Sequence, residues 1–172
     1  EVPLYLMSKE LKKKVTVVLS GEGADEIFGG YGRLFRSADD FEKMKCSKFR
    51  ELEGVKRKYK SRAFKSELEH FLYLYRYTSV EDKADIFSSR INTMNLDVRI
   101  ERPFREAFDR VEGAGYATKM MYVFEKLHLP GLLQRVDATT MGASVEARVP
   151  FVDHKLVEFA FTIPEKYKMK WV

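Results

Sequence analysis

The chemistry-bearing residues of this 172-residue sequence crowd into one short stretch, Ser20-Gly21-Glu22-Gly23-Ala24-Asp25-Glu26. Glycine tolerates positive φ and has no side chain to block a ligand. A turn built on Gly21 and Gly23 can therefore aim several backbone N–H groups into one concavity. The start of the helix expected after it adds partial positive charge, and together these favour phosphate or pyrophosphate. Glu22 and Asp25 put carboxylates beside that anion. Acids next to phosphates suit a bridging Mg²⁺, which takes hard oxygens from one or two carboxylates and from the substrate. A tight turn whose acids merely cap a helix has the same spacing, and the spacing alone leaves both readings open.

The elements around this stretch must position it. Pro3–Lys14 reads as a helix, with Pro3 in the first turn, Leu4, Met7 and Leu11 at helical spacing, and Lys12, Lys13 and Lys14 at the negative end of the dipole. Val15–Leu19 is a short β-branched apolar run without alternation, the pattern of a strand buried on both faces in a parallel sheet. The turn then feeds a short helix that Gly29-Gly30 ends. Almost everything afterwards reads helical. Ser37 with Asp39-Asp40 starts one helix, and Ser66 with Glu69 forms a capping box before Phe71, Leu72 and Tyr75. Ser79 with Asp82 has a similar form. Pro103 precedes Phe104, Ala107, Phe108 and Val111, a compact i, i+3, i+4, i+7 stripe, and Glu112–Gly115 is a break. Tyr116–Leu129 is amphipathic, and Asp153 caps a last helix through Phe161 that Pro164 stops. The expected fold is mainly α with one retained parallel-type strand, in a single domain over residues 1–172.

Composition narrows the class. Hydrophobic content of 45% and charged content of 33% are ordinary for a globular domain. No apolar run is long enough to span a bilayer, and the opening residues lack the order of a secretory signal, so a cytoplasmic setting is expected. Cys46, the lone cysteine, sits among Lys43, Lys45 and Lys48 and is read as incidental. The net charge of +5 gathers between Lys43 and Lys65, including Lys56-Arg57-Lys58, and reads as a solvated face, not as a specific nucleic-acid site. Tyr59 and Phe64 interleave with it, but no nucleic-acid motif accompanies them. His70, His128 and His154 have no metal-ligand spacing, and His128 on an apolar helix reads as a core histidine.

Val17-Val18-Leu19-Ser20-Gly21-Glu22-Gly23-Ala24-Asp25-Glu26-Ile27-Phe28-Gly29-Gly30-Tyr31 resembles the second nucleotide-site motif of glutamine-dependent asparagine synthetases. A second block agrees in order: Leu129-Pro130-Gly131-Leu132-Leu133-Gln134-Arg135-Val136-Asp137, Met141, then Ser144-Val145-Glu146-Ala147-Arg148-Val149-Pro150-Phe151-Val152-Asp153, continued by Leu156–Ala160. Between them, residues 34–126 match only in helical character. The resemblance implies the helical C-terminal part of an α/β ATP-pyrophosphatase domain that binds ATP and Mg²⁺. It implies adenylation of the aspartate side chain, release of pyrophosphate, and amide formation with ammonia from glutamine. Nucleotide contacts fall on Ser20, Gly21, Glu22, Gly23, Ala24 and Asp25, with Ser20 and Gly21 on the AMP side, Asp25 on Mg-pyrophosphate and Glu22 at the amide-forming step. Glu26 orients the loop, meets the substrate, or is simply a first-turn acid. Arg135, Asp137, Glu146 and Arg148 resemble a buried polar network and are read as structural.

Departures from the pattern matter equally. The family's Ser-Gly-Gly-x-Asp-Ser motif, the glutaminase cysteine and the adenylation lysine have no counterpart in these residues, and Lys168 and Lys170 stand too early to be that lysine. Ala138-Thr139-Thr140 replaces the usual Arg-x-Ser. The sequence is therefore expected to be truncated at both ends, inactive alone, and lacking a glutaminase domain. Its apolar strand is expected to seek a partner, with a homodimer as one outcome. Related amidotransferases and β-lactam-type synthetases stay open, although the latter tend to carry Tyr where Glu22 stands. So does a non-catalytic helical binding module derived from the fold.

Overall fold

The computed structural model describes residues 1–45, 49–78, 80–88 and 93–169. In chain order the elements are α1 (Val2–Lys12), β1 (Val17–Leu19), α2 (Ala24–Phe28), α3 (Gly32–Phe35), α4 (Ser37–Lys45), α5 (Phe49–Lys58), α6 (Glu67–Tyr75), α7 (Val80–Ile86), α8 (Thr93–Arg110) and α9 (Tyr116–Val123). A π-helical turn (Phe124–His128), α10 (Leu129–Met141), β2 (Glu146–Arg148), a 3₁₀ turn (Pro150–Val152), α11 (His154–Thr162) and α12 (Glu165–Lys168) follow. The fold is mainly α with two short parallel strands, as expected for a helical portion of an ATP-pyrophosphatase-like domain. The packing resolves into two compact units, residues 1–30 with 121–169, and residues 31–120.

The first unit is organised by β1 and β2. They pair in parallel with Val17 opposite Glu146, Val18 opposite Ala147 and Leu19 opposite Arg148. The Glu146 N–H also donates to Thr16 O at 2.8 Å and the Ser20 N–H to Arg148 O at 2.8 Å, extending the ladder at both ends. The parallel direction agrees with the sequence expectation. Burial on both faces does not: Val17 is 47% and Leu19 77% exposed, because among the described residues this sheet has only two strands. Before β2, Ser144 takes φ +59° while Val145 N–H bonds back to Thr140 O at 3.0 Å, ending α10 and burying Val145 completely. The π turn has a local cause. Pro130 has no N–H to donate to the carbonyl four residues back and would crowd it, and the turn before it widens so that Leu129 N–H reaches Phe124 O.

Several local expectations hold. Ser66 Oγ accepts from Glu69 N–H at 3.1 Å, and Asp153 Oδ1 accepts from the N–H groups of Lys155 and Leu156. The stripe after Pro103 is helical as expected, and Pro103 itself lies inside α8, where the helical period continues across it through Ile100, Phe104, Ala107 and Phe108. Cys46, Lys48, Ser79 and Lys170 lie outside the described residues.

The second unit packs around His70, which is fully buried. Its Nδ1 lies 2.8 Å from the Tyr116 hydroxyl, and its Nε2 has no hydrogen-bond partner among the described residues. Phe41, Tyr59 and Phe64 enclose the ring at centroid distances of 5.2, 5.1 and 4.8 Å. Tyr59 is thus buried in this core, and half-buried Phe64 packs against it. The Tyr59 hydroxyl donates to Asp40 at 2.9 Å, and Lys58 pairs with the same carboxylate.

Burial drives the His70 pKa down to about 4, with nearby Lys58 adding to the effect and Asp40 opposing it. The folded state thus holds a neutral imidazole that the unfolded chain would protonate below about pH 6.5. Its contribution is fully present above that pH and is lost as pH falls from about 6.5 toward 4, up to roughly 3 kcal/mol. Urea unfolding followed from pH 7 to 4.5 should show a steeper fall in midpoint for the native chain than for His70→Phe. Parallel pH profiles would contradict this linkage.

Candidate functional site

The glycine turn hangs from the end of β1 and leads directly into α2. Gly23 has φ +97°, and a Cβ there would meet Val152 Cγ2 at 2.7 Å, so both backbone and packing require glycine. Gly21 differs. Nothing lies within 4 Å of the position its Cβ would take, and its φ is not in the left-handed region. Among the described residues no packing requires a glycine at this position, and the space beside it is open. The Ala24 N–H bonds to Gly21 O at 3.3 Å and the Glu22 N–H to Ser20 Oγ at 3.4 Å. Among the described residues, the N–H groups of Gly21, Gly23 and Asp25 have no hydrogen-bond acceptor. Such a group of donors is suited to an anion, whereas the dipole of α2, with only five residues, adds little.

The acids separate into three environments. Asp25 is exposed, and its carboxylate folds over Gly30, where any Cβ would overlap its Oδ1. Glycine at position 30 thus leaves room for the acid. Glu22 is partly exposed and meets Arg135 Nη2 at 3.5 Å. Glu26 is 1% exposed, which makes it part of the interior of this unit. Ser20 and Ala24 are half-buried beside the turn.

Arg135, Asp137, Glu146 and Arg148 do not form the buried network expected of them. All four are exposed. Glu146 and Arg148 pair with each other at 2.6 Å on one face of β2, while Arg135 reaches across to Glu22 and to Glu1. The expectation failed because charged side chains close together in a sequence do not reveal which face their elements turn to solvent. His128 is also more than a core residue. It is half-buried at the end of the π turn, with its ring 4.9 Å from that of Phe124. Burial lowers its pKa; Glu26 and Glu22 pull the other way, and Arg135 reinforces the lowering. His128 and Arg135 are seven residues apart, two helical turns, and that spacing was the available signal that both face the glycine turn. Among the described residues no three His, Cys, Asp or Glu side chains cluster as a metal site, so any cation here would take one carboxylate, with further oxygens from a ligand.

The second sequence block backs the first. Phe151 packs edge-on against Phe28 at 6.5 Å, and Val152 and Phe151 close over Gly23. The site thus consists of a short parallel strand, an open glycine turn whose N–H donors at Gly21, Gly23 and Asp25 have no acceptor among the described residues, and two adjacent carboxylates. The asparagine synthase family model matches residues 1–171, and the chain belongs to that family. It is 33% identical over 190 residues to asparagine synthetase [glutamine-hydrolyzing] 1 of Bacillus subtilis (strain 168), covering 98% of this chain and 28% of that protein. It is likewise 33% identical over 172 residues to asparagine synthetase [glutamine-hydrolyzing] 3 of the same organism, covering 96% of this chain and 23% of the relative. A putative asparagine synthetase [glutamine-hydrolyzing] 1 of Methanocaldococcus jannaschii is 27% identical over 98% of this chain and 18% of its own length. The chain thus spans about a quarter of the length of the Bacillus relatives. No solved structure matches it.

The two glycines of the turn should respond oppositely to a methyl group. Gly23→Ala forces a left-handed alanine against Val152 and should cost about 1–3 kcal/mol. Gly21→Ala meets nothing and should stay within about 0.5 kcal/mol of the native chain. Urea denaturation of both variants measures this; equal losses would mean that the turn is packed differently.

Proposed function

We propose that this chain is part of the synthetase domain of an ATP-dependent amide-forming enzyme of the asparagine synthetase (glutamine-hydrolysing) type. The carrying observation is the glycine turn, whose open Gly21 and whose N–H groups at Gly21, Gly23 and Asp25, unpaired among the described residues, stand beside Glu22 and Asp25. The family membership of the chain supports the same reading.

The proposed ligand of the turn is ATP, with aspartate as the carboxylate substrate and glutamine as the source of ammonia through a glutaminase domain. A cytoplasmic setting accompanies this reaction. An oxygen of the aspartate side chain attacks the α-phosphorus and pyrophosphate leaves; ammonia then attacks the acyl carbon, loses a proton and expels AMP. Ser20 and Gly21 line the AMP side. Asp25 would hold a Mg²⁺ ion, which when bound neutralises charge on the departing pyrophosphate. The N–H donors hold the phosphates without reorganising during the reaction. Glu22 accepts a proton from the attacking ammonia in this reading, and its contact with Arg135, which holds it to one side of the turn, supports that role. That pair is partly exposed, so its contribution is orientation more than stability. Glu22 also favours asparagine formation over the β-lactam-type reaction, whose enzymes tend to have Tyr there.

The roles of the two acids separate experimentally in the full-length protein. Asp25→Asn should lower ATP–pyrophosphate exchange and shift its Mg²⁺ dependence to higher concentration. Glu22→Gln should bind ATP almost normally and lose amide formation by about 10²–10⁴-fold. Exchange rate, ATP affinity and transfer of ¹⁵N from amide-labelled glutamine into asparagine, measured at several Mg²⁺ concentrations, make the comparison. Identical profiles, or full activity in either variant, would refute this division; label appearing in another amide would refute the substrate.

A further inference from the structure

The unit formed by residues 31–120 contains a cavity of about 280 Å³ between α6, α7 and α8. Its floor is aromatic: the rings of Tyr75 and Phe104 lie 5.4 Å apart at 58°, and Phe71 is stacked on Tyr75 behind them at 5.2 Å. Two ion pairs also line it, Arg76 of the α6 end with Glu101 of α8, and Lys83 of α7 with Asp97 of α8. The side chains of both pairs are no more than 25% exposed. Burying charges this far is costly unless their hydrogen-bonding capacity is used. Among the described residues each pair uses only part of it: Arg76 Nη2 donates to Glu101 and Lys83 Nζ to Asp97, whereas a guanidinium has five N–H donors and an ammonium three, and each carboxylate has lone pairs to spare. The four charges cancel, so the cavity offers no net field to a ligand carrying a net charge. It can satisfy one carboxylate and one ammonium together. The cavity is at the small end of the range for ligand pockets, which sets the size of the occupant.

We propose that this cavity is a binding site for a free α-amino acid with a flat apolar side chain, its ring on Tyr75 and Phe104 and its zwitterionic head between the Arg76–Glu101 and Lys83–Asp97 pairs. The observations select each part of that ligand. The aromatic floor rewards a ring at offset or edge-on geometry. The alternating cations and anions reward a head group with both signs, and penalise a lone carboxylate or amine, which would leave one sign without its counterpart. Tyr75 keeps its phenol proton because burial raises its pKa. The ring that faces the ligand is therefore neutral. None of these residues belongs to the glycine turn, so the site is additional to the proposed nucleotide chemistry and does not rest on it.

The test uses the 172-residue chain with L-phenylalanine as probe, followed by calorimetry and by amide shifts of the Tyr75–Thr78 and Asp97–Phe104 segments. Saturable binding with a dissociation constant of about 1 mM or tighter is expected for a ligand of this size. Glycine, which lacks the ring, phenylethylamine, which lacks the carboxylate, and phenylpropionate, which lacks the amine, should each bind at least about 10-fold more weakly. Ile100 lies at the rim and is 59% exposed, so Ile100→Trp should fold normally and fill the mouth, abolishing binding. Lys83→Gln provides a second variant and should weaken phenylalanine while leaving phenylethylamine unchanged. No saturation by about 10 mM phenylalanine, unchanged binding in a folded Ile100→Trp chain, or phenylethylamine or phenylpropionate binding as tightly as phenylalanine would each overturn the proposal.

Discussion

Three residues of parallel pairing hold the candidate site together. Val17–Leu19 and Glu146–Arg148 are separated by more than a hundred residues, yet their register fixes where the glycine turn begins. Ser20 is tied by its N–H to Arg148 O, one residue past the strand. That bond aims the chain into Gly21, and the next residues of the second block, Phe151 and Val152, close over Gly23. A slip of one residue would turn every side chain of β1 to the other face and move the turn away from its backing. Parallel strands need a long crossover. Here the whole of residues 31–120 lies within it, at a closure cost that rises only slowly with length.

The same contacts explain which glycines are structural and which are not. Gly23 is compelled by its φ and by Val152; Gly29, at φ +75°, ends α2 against Met169; Gly30 leaves room for the Asp25 carboxylate. Gly21 alone among the motif glycines up to Gly30 has nothing near it. A motif of four glycines thus divides into three explained by folding and one, Gly21, beside which the space is open among the described residues. The acids divide in a similar way: Glu26 serves the interior, while Asp25 and Glu22 face outward at the turn.

Much of this was legible in the sequence, and for identifiable reasons. Caps and breakers are local, so Ser66–Glu69, Asp153, Gly29 and Pro164 marked their boundaries correctly. The apolar run before the turn gave a strand and its parallel direction. It misled about burial, because apolar composition records the sheet a strand is suited to, not the neighbours this chain supplies. The stripe after Pro103 marked a helix but not where it begins: α8 runs through the proline, because the helical period continues on both sides and outweighs one missing donor. The Arg135–Glu22 contact joins residues far apart in the chain and has no local signature. The core around His70 was equally hidden, since its aromatic neighbours come from several separate helices.

The central claim is that the N–H groups of the glycine turn hold the phosphates of a nucleotide. Site-resolved amide hydrogen exchange of the full-length protein, with and without MgATP at saturating concentration, tests it most directly. Gly21, Gly23 and Asp25 have no acceptors among the described residues and should exchange fast in the free protein, then slow by at least about tenfold on binding. Saturation by MgATP with those amides still exchanging at the free rate, and protection appearing elsewhere, would contradict the account.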